Sequence, residues 1–258
     1  MISGVYETGA ITKQMACFLL NNPHFPIPFP IVMKQSILTI LAVTLVINAS
    51  GQDDSVNPGI NESFKNPDPK TFVERFEKEG REVYDNRDSI VEQLDLKSGM
   101  VVADIGAGTG LFTRLLAPKV GPEGKVYAVD IAKTFVNHTV MTSRARGLKQ
   151  VEGIVCTRDD AKLPKSSVDL VFICDTYHHF EFPLKTMQSI HEALKPGGRL
   201  VLLDFERIEG TSSDWIMGHV RAGKEVFQRE VESAGFKLEE EVNLFEENYF
   251  LTFRKKTE

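Results

Sequence analysis

From Val101 onward the apolar residues fall into short dense runs, separated by longer stretches in which they recur every three or four positions. Val101–Ile105, Lys125–Asp130, Ile154–Thr157, Val168–Cys174 and Arg199–Phe205 are rich in Val, Ile and Leu and read as strands. Leu111–Ala117, Thr134–Arg146 and Pro183–Leu194 lie between them and carry the helical period. Near-continuous apolar strands are buried on both faces, as in a parallel sheet covered by helices. Strands and helices alternating at this spacing predict an α/β fold, an open doubly wound sheet with right-handed crossovers. A helix is expected around Val220–Ala234, followed by Phe236–Val242 and Asn248–Arg254. Two closing strands after the last helix make the sheet seven-stranded and mostly parallel, with an antiparallel closing strand.

Before Val101 the pattern changes character. Phe72, Val73, Phe76, Val83, Ile90, Val91 and Leu94 suit two short helices between Thr71 and Gln93, with Asp85 and Asp88 marking a helix start. Ser55–Pro69, rich in Asn, Pro, Ser and Gly, reads as a linker. Further upstream, Lys34 precedes the apolar stretch Ile37–Ile47, broken only by threonines, and Ala49-Ser50-Gly51 follows. Positive start, short apolar core and small-residue exit have the order of a secretory signal peptide beginning at Met33. The core is shorter than the ~20 apolar residues of a bilayer span, so no stable membrane span is expected. On this reading residues 1–51 are an upstream extension plus signal peptide, 52–70 a linker and 71–258 the folded domain. The expected location is secreted or periplasmic, with the cytoplasm as the alternative.

Composition narrows the function. The chain of 258 residues has a net charge of −6 and no clustered run of Lys and Arg, so nucleic acid is not an expected partner. The three cysteines, Cys17, Cys156 and Cys174, lack the paired short spacing of a zinc site or a disulfide framework. Cys156 and Cys174 fall in apolar runs and are expected as small buried side chains.

The candidate chemistry begins after the first strand, at Asp104-Ile105-Gly106-Ala107-Gly108-Thr109-Gly110. Glycines at 106, 108 and 110 let the backbone turn tightly and approach a ligand. A dinucleotide loop needs its third glycine at 111, where this chain has Leu111. A carboxylate two residues before the first glycine repels a pyrophosphate and attracts an ammonium group. Both features oppose a nicotinamide-dependent oxidoreductase and favour S-adenosylmethionine.

Asp104 to Gly110 resembles the first motif of class I, Rossmann-like S-adenosylmethionine-dependent methyltransferases, and the resemblance extends over about residues 70–254. It implies that Asp130, ending the second strand, binds both ribose hydroxyls and that Ile131 lies on the adenine. Arg158-Asp159-Asp160-Ala161-Lys162-Leu163-Pro164 resembles the loop after the third strand, which implies that Asp160 accepts from the adenine amino group beside Ala161. Leu194-Lys195-Pro196-Gly197-Gly198-Arg199-Leu200 resembles the turn before the fifth strand. The implied cofactor-binding set is Asp104, Gly106, Ala107, Gly108, Gly110, Asp130, Ile131, Asp160, Ala161 and Asp175.

The fourth strand ends in Asp175-Thr176-Tyr177-His178-His179, and ligands of open α/β sheets bind beyond such strand ends. His178 or His179 is a candidate base, since imidazole titrates near neutral pH, and Tyr177 is a candidate to orient the acceptor. His219 and Arg221 are expected mainly on a solvated surface, with the same cleft in reach. Unspecific spacing gives no reason to assign a metal to these groups. The Asn-Pro-Pro-aromatic sequence of base-methylating relatives is missing, and two core cysteines cannot supply an arsenic-methylating set. The implied function is therefore methyl transfer to a small-molecule acceptor, broadly like the quinone and lipid-intermediate branch. The alternative is a cofactor-binding module, a sensor or partner protein without turnover.

Overall fold

The computed structural model describes residues 53–256. One seven-stranded sheet holds β1 (Val101–Ile105), β2 (Lys125–Asp130), β3 (Val151–Val155), β4 (Val168–Cys174), β5 (Leu194–Phe205), β6 (Phe236–Val242) and β7 (Asn248–Lys255). Their spatial order is β3-β2-β1-β4-β5-β7-β6. Pairing is parallel from β3 to β5, and β7 runs antiparallel to both β5 and β6. The expected doubly wound sheet with its antiparallel closing strand is thus the observed one.

Eight α-helices are described, besides two 3-10 turns at Glu62–Phe64 and Tyr177–His179: α1 (Pro69–Phe76), α2 (Glu82–Asp85), α3 (Arg87–Gln93), α4 (Leu111–Val120), α5 (Lys133–Ala145), α6 (Pro183–Ala193), α7 (Asp214–His219) and α8 (Lys224–Ser233). The sheet's side chains alternate between two cores. Ala103, Ile105, Val171 and Ile173 pack with Met187, Ile190, Phe227 and Val231, whereas Val102, Leu170 and Phe172 pack with Ile90, Phe112 and Leu116. Burial on both faces explains the near-continuous apolar strands.

Several boundaries differ from the pattern. β3 begins at Val151 because Val151 is buried opposite Val126, although Glu152 and Gly153 interrupt the apolar run. Gly153 lies under α5, where an added Cβ would come within 2.5 Å of a Val136 methyl. The helix expected over Val220–Ala234 is the shorter α8, which starts only after extended Val220 and Gly223, and α7 is a separate helix upstream of it. Three short helices replace two before β1; Asp85 ends α2 and accepts from the Gly80 amide (3.0 Å), while Asp88 lies in the first turn of α3. The turn at Leu194–Gly198 is the irregular start of β5, with Gly197 at φ 73°.

The segment read as a linker is bound to the domain. Val56 donates its amide to the Glu181 carbonyl (2.9 Å), and Asn61 Nδ2 donates to the His179 carbonyl (3.0 Å) and to Glu181 Oε1 (3.2 Å). Among the described residues no helix is long and apolar enough to cross a membrane. The signal peptide and upstream extension expected over residues 1–51 lie outside the described residues.

Candidate active site

Strand order reverses between β1 and β4, because β2 lies on one side of β1 and β4 on the other. Loops leaving the two strands diverge at such a switch point and open a crevice. Here a cavity of about 440 Å³ occupies it, lined by the loop after β1, the ends of β2 and β4, and residues from the segment before β1.

The loop after β1 is shaped by its glycines. Gly106 has φ 72°, and a Cβ there would lie 2.2 Å from a Thr176 methyl. Gly110, at φ 82°, caps α4, and a Cβ there would lie 2.6 Å from the Thr139 side chain. Left-handed backbone and missing space together exclude any larger residue at either position.

Two carboxylates flank this loop. Asp104 is buried at the end of β1 and accepts from Thr113 Oγ1 through Oδ2 (2.6 Å). Asp130 ends β2 and accepts from the Gly108 amide (2.8 Å) and the Ala132 amide (2.8 Å), one on each oxygen. Each carboxylate oxygen has a second lone pair, so these bonds leave acceptor capacity toward the cavity that both residues line. Burial raises both carboxyls to about 6, more than their hydrogen bonds lower them. Asp175, at φ 45° just past β4, is raised to about 6 by burial despite its ion pair with Arg81. Asn248 Nδ2 also donates to it (2.8 Å).

The far end of the cavity is aromatic and imidazole-rich. His178 and His179 lie on a single helical turn, Tyr177–His179, after β4, and His219 ends α7. His178 Nδ1 lies 2.7 Å from Oδ1 of the fully buried Asp204, which also accepts from the amides of His178 (3.2 Å) and Phe205 (2.8 Å). A carboxylate oxygen accepts, so Nδ1 donates in this pair and the Nε2 side of the ring is left for other partners. His179 Nε2 and His219 Nε2 are 3.3 Å apart, and His219 stacks on Trp215 with centroids 4.6 Å apart. Burial, more than the neighbouring charges, lowers His179 to about 2, so this ring is neutral at ordinary pH.

The methyltransferase-domain family model matches residues 96–248, more than half of the chain. The chain belongs to this family. It is a methyltransferase domain of the class I, S-adenosylmethionine-dependent kind. The demethylmenaquinone methyltransferase of Geobacillus stearothermophilus is 30% identical over 118 residues, which are 46% of this chain and 50% of that protein. The ubiquinone/menaquinone biosynthesis C-methyltransferase UbiE of Coxiella burnetii is 27% identical over 122 residues, 47% of this chain and 49% of that one. The chain thus spans about half the length of the curated relatives it matches. The crystal structure of a SAM-dependent methyltransferase from Aquifex aeolicus superposes with a TM-score of 0.64 at 25% identity, covering 74% of this chain and all of that one.

Within the methyltransferase domain, most of the cofactor set expected from sequence converges: Asp104, Gly106, Ala107, Gly108, Asp130, Ile131, Ala161 and Asp175 all line the cavity. Gly110 stands behind them at the helix start. Asp160 does not line the cavity; its carboxylate turns to the Lys162 ammonium (2.8 Å) and amide (2.7 Å) at the exposed rim. Tyr177 is also away from it, fully buried with its hydroxyl donating to Glu230 (3.1 Å). Arg221 pairs with the same Glu230 (2.5 Å). His219, expected mainly at the surface, lines the cavity beside His178 and His179. So do Cys156 and Cys174, both half-buried; burial pushes the Cys156 thiol up to about 12 and the Cys174 thiol well above its usual range, so both stay protonated.

Sequence reasoning missed Asn61, Phe64, Phe76 and Arg81, which form a wall from the segment before β1, and Asp204, which holds His178. Asn61 and Phe64 sit in a linker-like composition with no period to mark them. Asp204 breaks an apolar strand one residue from its end, the one signal that could have drawn notice.

Proposed function

We propose that this methyltransferase domain transfers a methyl group from S-adenosylmethionine to a small-molecule acceptor. The observation that carries the reading is the pair of buried carboxylates, Asp104 and Asp130, on either side of a glycine loop that opens into one cavity. The residues present fit the cofactor. Asp104 offers a carboxylate to the ammonium of the methionine end, Asp130 keeps lone pairs for the ribose hydroxyls, and side-chain-free Gly106 and Gly108 leave room for the ligand. When bound, the cofactor supplies a methyl group on an electrophilic sulfonium. The protein's share of the work is alignment and exclusion of water. Phe64, Phe76, Phe135, Phe180 and Trp215 line the cavity and suit a flat, largely apolar acceptor. Two relatives are named for steps on menaquinone or ubiquinone precursors, which supports an acceptor of that broad kind.

Calorimetry on the full chain tests the reading. S-adenosylmethionine and S-adenosylhomocysteine are expected to bind in the micromolar range and NAD not at all. Asp130→Ala is expected to weaken both by about 1–3 kcal/mol, through loss of charge-assisted bonds. Tight NAD binding or an unchanged variant overturns it. Methyl transfer to a panel of hydroxylated quinones then reads turnover; binding without turnover across a broad panel makes the domain a sensor or partner module instead.

We also propose export through the signal peptide beginning at Met33. Its support is the order of Lys34, the apolar Ile37–Ile47 and the small residues 49–51. Sequencing the amino terminus of protein recovered from cell fractions checks this. A start near Gln52 outside the cytoplasm is expected, and an intact leader in the cytoplasm rules export out.

A further inference from the structure

We propose that His178, His179 and His219 bind a divalent transition metal, with zinc the best match, at the acceptor end of the cavity. The site is independent of methyl transfer: it follows from side-chain geometry whether or not the domain turns over. One nitrogen from each of the three rings lies within 4.8 Å of the others. The His179 and His219 Nε2 atoms are already 3.3 Å apart. In a tetrahedral zinc site with bonds of about 2.0–2.1 Å, two ligand nitrogens are separated by roughly 3.3–3.4 Å. That pair therefore stands at the edge length of a coordination tetrahedron, and a His178 nitrogen lies within 4.8 Å of both.

The surroundings match what a metal-bound histidine needs. Such a histidine usually gives its other ring N–H to a carboxylate, which fixes the tautomer and the ring orientation. Asp204 does this for His178 Nδ1, and two backbone amides hold Asp204 in turn. Trp215 stacks on His219 at an interplanar angle of 24° and sets that ring's plane. Asn61 fixes the helical turn through the His179 carbonyl. Arg75 sets its charge against a cation here, and Asp204 sets its own in favour.

The donor set has a further consequence. Three imidazoles leave one tetrahedral position unfilled, the arrangement of catalytic rather than structural zinc. All three rings line the cavity, so that position faces the acceptor's space and suits an oxygen ligand, from water or from the acceptor. Sequence gave no reason to assign a metal, because 178, 179 and 219 follow no ligand spacing; the fold closes the 40-residue gap by folding α7 over the end of β4.

Cobalt(II), titrated into the chelator-stripped full chain, tests the site without reference to turnover. The expected result is the intense visible absorption of four-coordinate cobalt, rising to one equivalent and displaced by zinc. His219→Phe keeps a ring to stack on Trp215 and is expected to abolish the band, while its metal-free melting curve reports that it folds. Asp204→Asn is expected to weaken zinc binding by about 10–100-fold. A wild-type chain that shows no such band has rings that merely share a proton, and this overturns the proposal. A band undiminished in a folded His219→Phe chain overturns it as well.

Discussion

Asp104 and Asp130 are two acids in one buried place, and their protonation couples the fold to the ligand in opposite directions. Burial lifts both carboxyls from an ordinary 3.8 to about 6. Between those values the folded chain holds more protons than the unfolded one, so the stability from these groups is full at low pH and is lost as pH rises through about 6. The cationic end of the cofactor needs Asp104 ionised, so affinity should rise over the same interval. Calorimetry is expected to give a Kd for S-adenosylmethionine about tenfold weaker at pH ~5 than at pH ~7.5, the ratio that one required ionisation near 6 imposes. A flat profile would remove Asp104 as partner of the ammonium. Asp104 and Gly106 were legible because each is needed for a reason local to its loop, whereas Asp130 was placed by resemblance and does line the cavity. Asp160 was placed by resemblance, and a neighbouring lysine takes its carboxylate in the structure.

At the scale of elements, α1 is tied to the cofactor loop by one nearly buried ion pair. Arg114 on α4 donates to both oxygens of Glu77 (2.7 and 2.8 Å), the residue that ends α1, and also to the Thr109 carbonyl (2.6 Å). Its side chain is 5% exposed and that of Glu77 15%. Removing one partner leaves the other charge buried and uncompensated, so Glu77→Ala is expected to cost about 3–5 kcal/mol. Thermal melting reads this as a lowered Tm, and a shift within error of wild type would mean that Arg114 finds water. The central strands could be read from dense apolar runs because both their faces are buried, and the long helices from a period of nearly four residues. The late start of α8 could not, since apolar Val220 fits the helical period of the residues after it while its backbone, like that of Gly223, is extended.

At the scale of the whole molecule, the doubly wound sheet with its closing strands was legible from alternation, whereas the strand order that opens the crevice between β1 and β4 is a finding of the structure. What remained hidden was every contact that joins distant parts of the chain without a pattern of its own. Asn61 meets His179 across 118 residues and His219 meets His179 across 40, and nothing in either local sequence marks the partner. Side-chain pairing of that kind is decided by where the finished fold brings surfaces together.

The wall built by Asn61, Phe64, Phe76 and Arg81 lies upstream of the 96–248 region that matches the family, whereas the glycine loop lies within it. One wall of the cavity is thus encoded outside the stretch that marks the family, and the glycine loop with the imidazole end inside it. Substitutions at Asn61 or Phe64 would therefore reshape the cavity without changing any residue of the matched stretch.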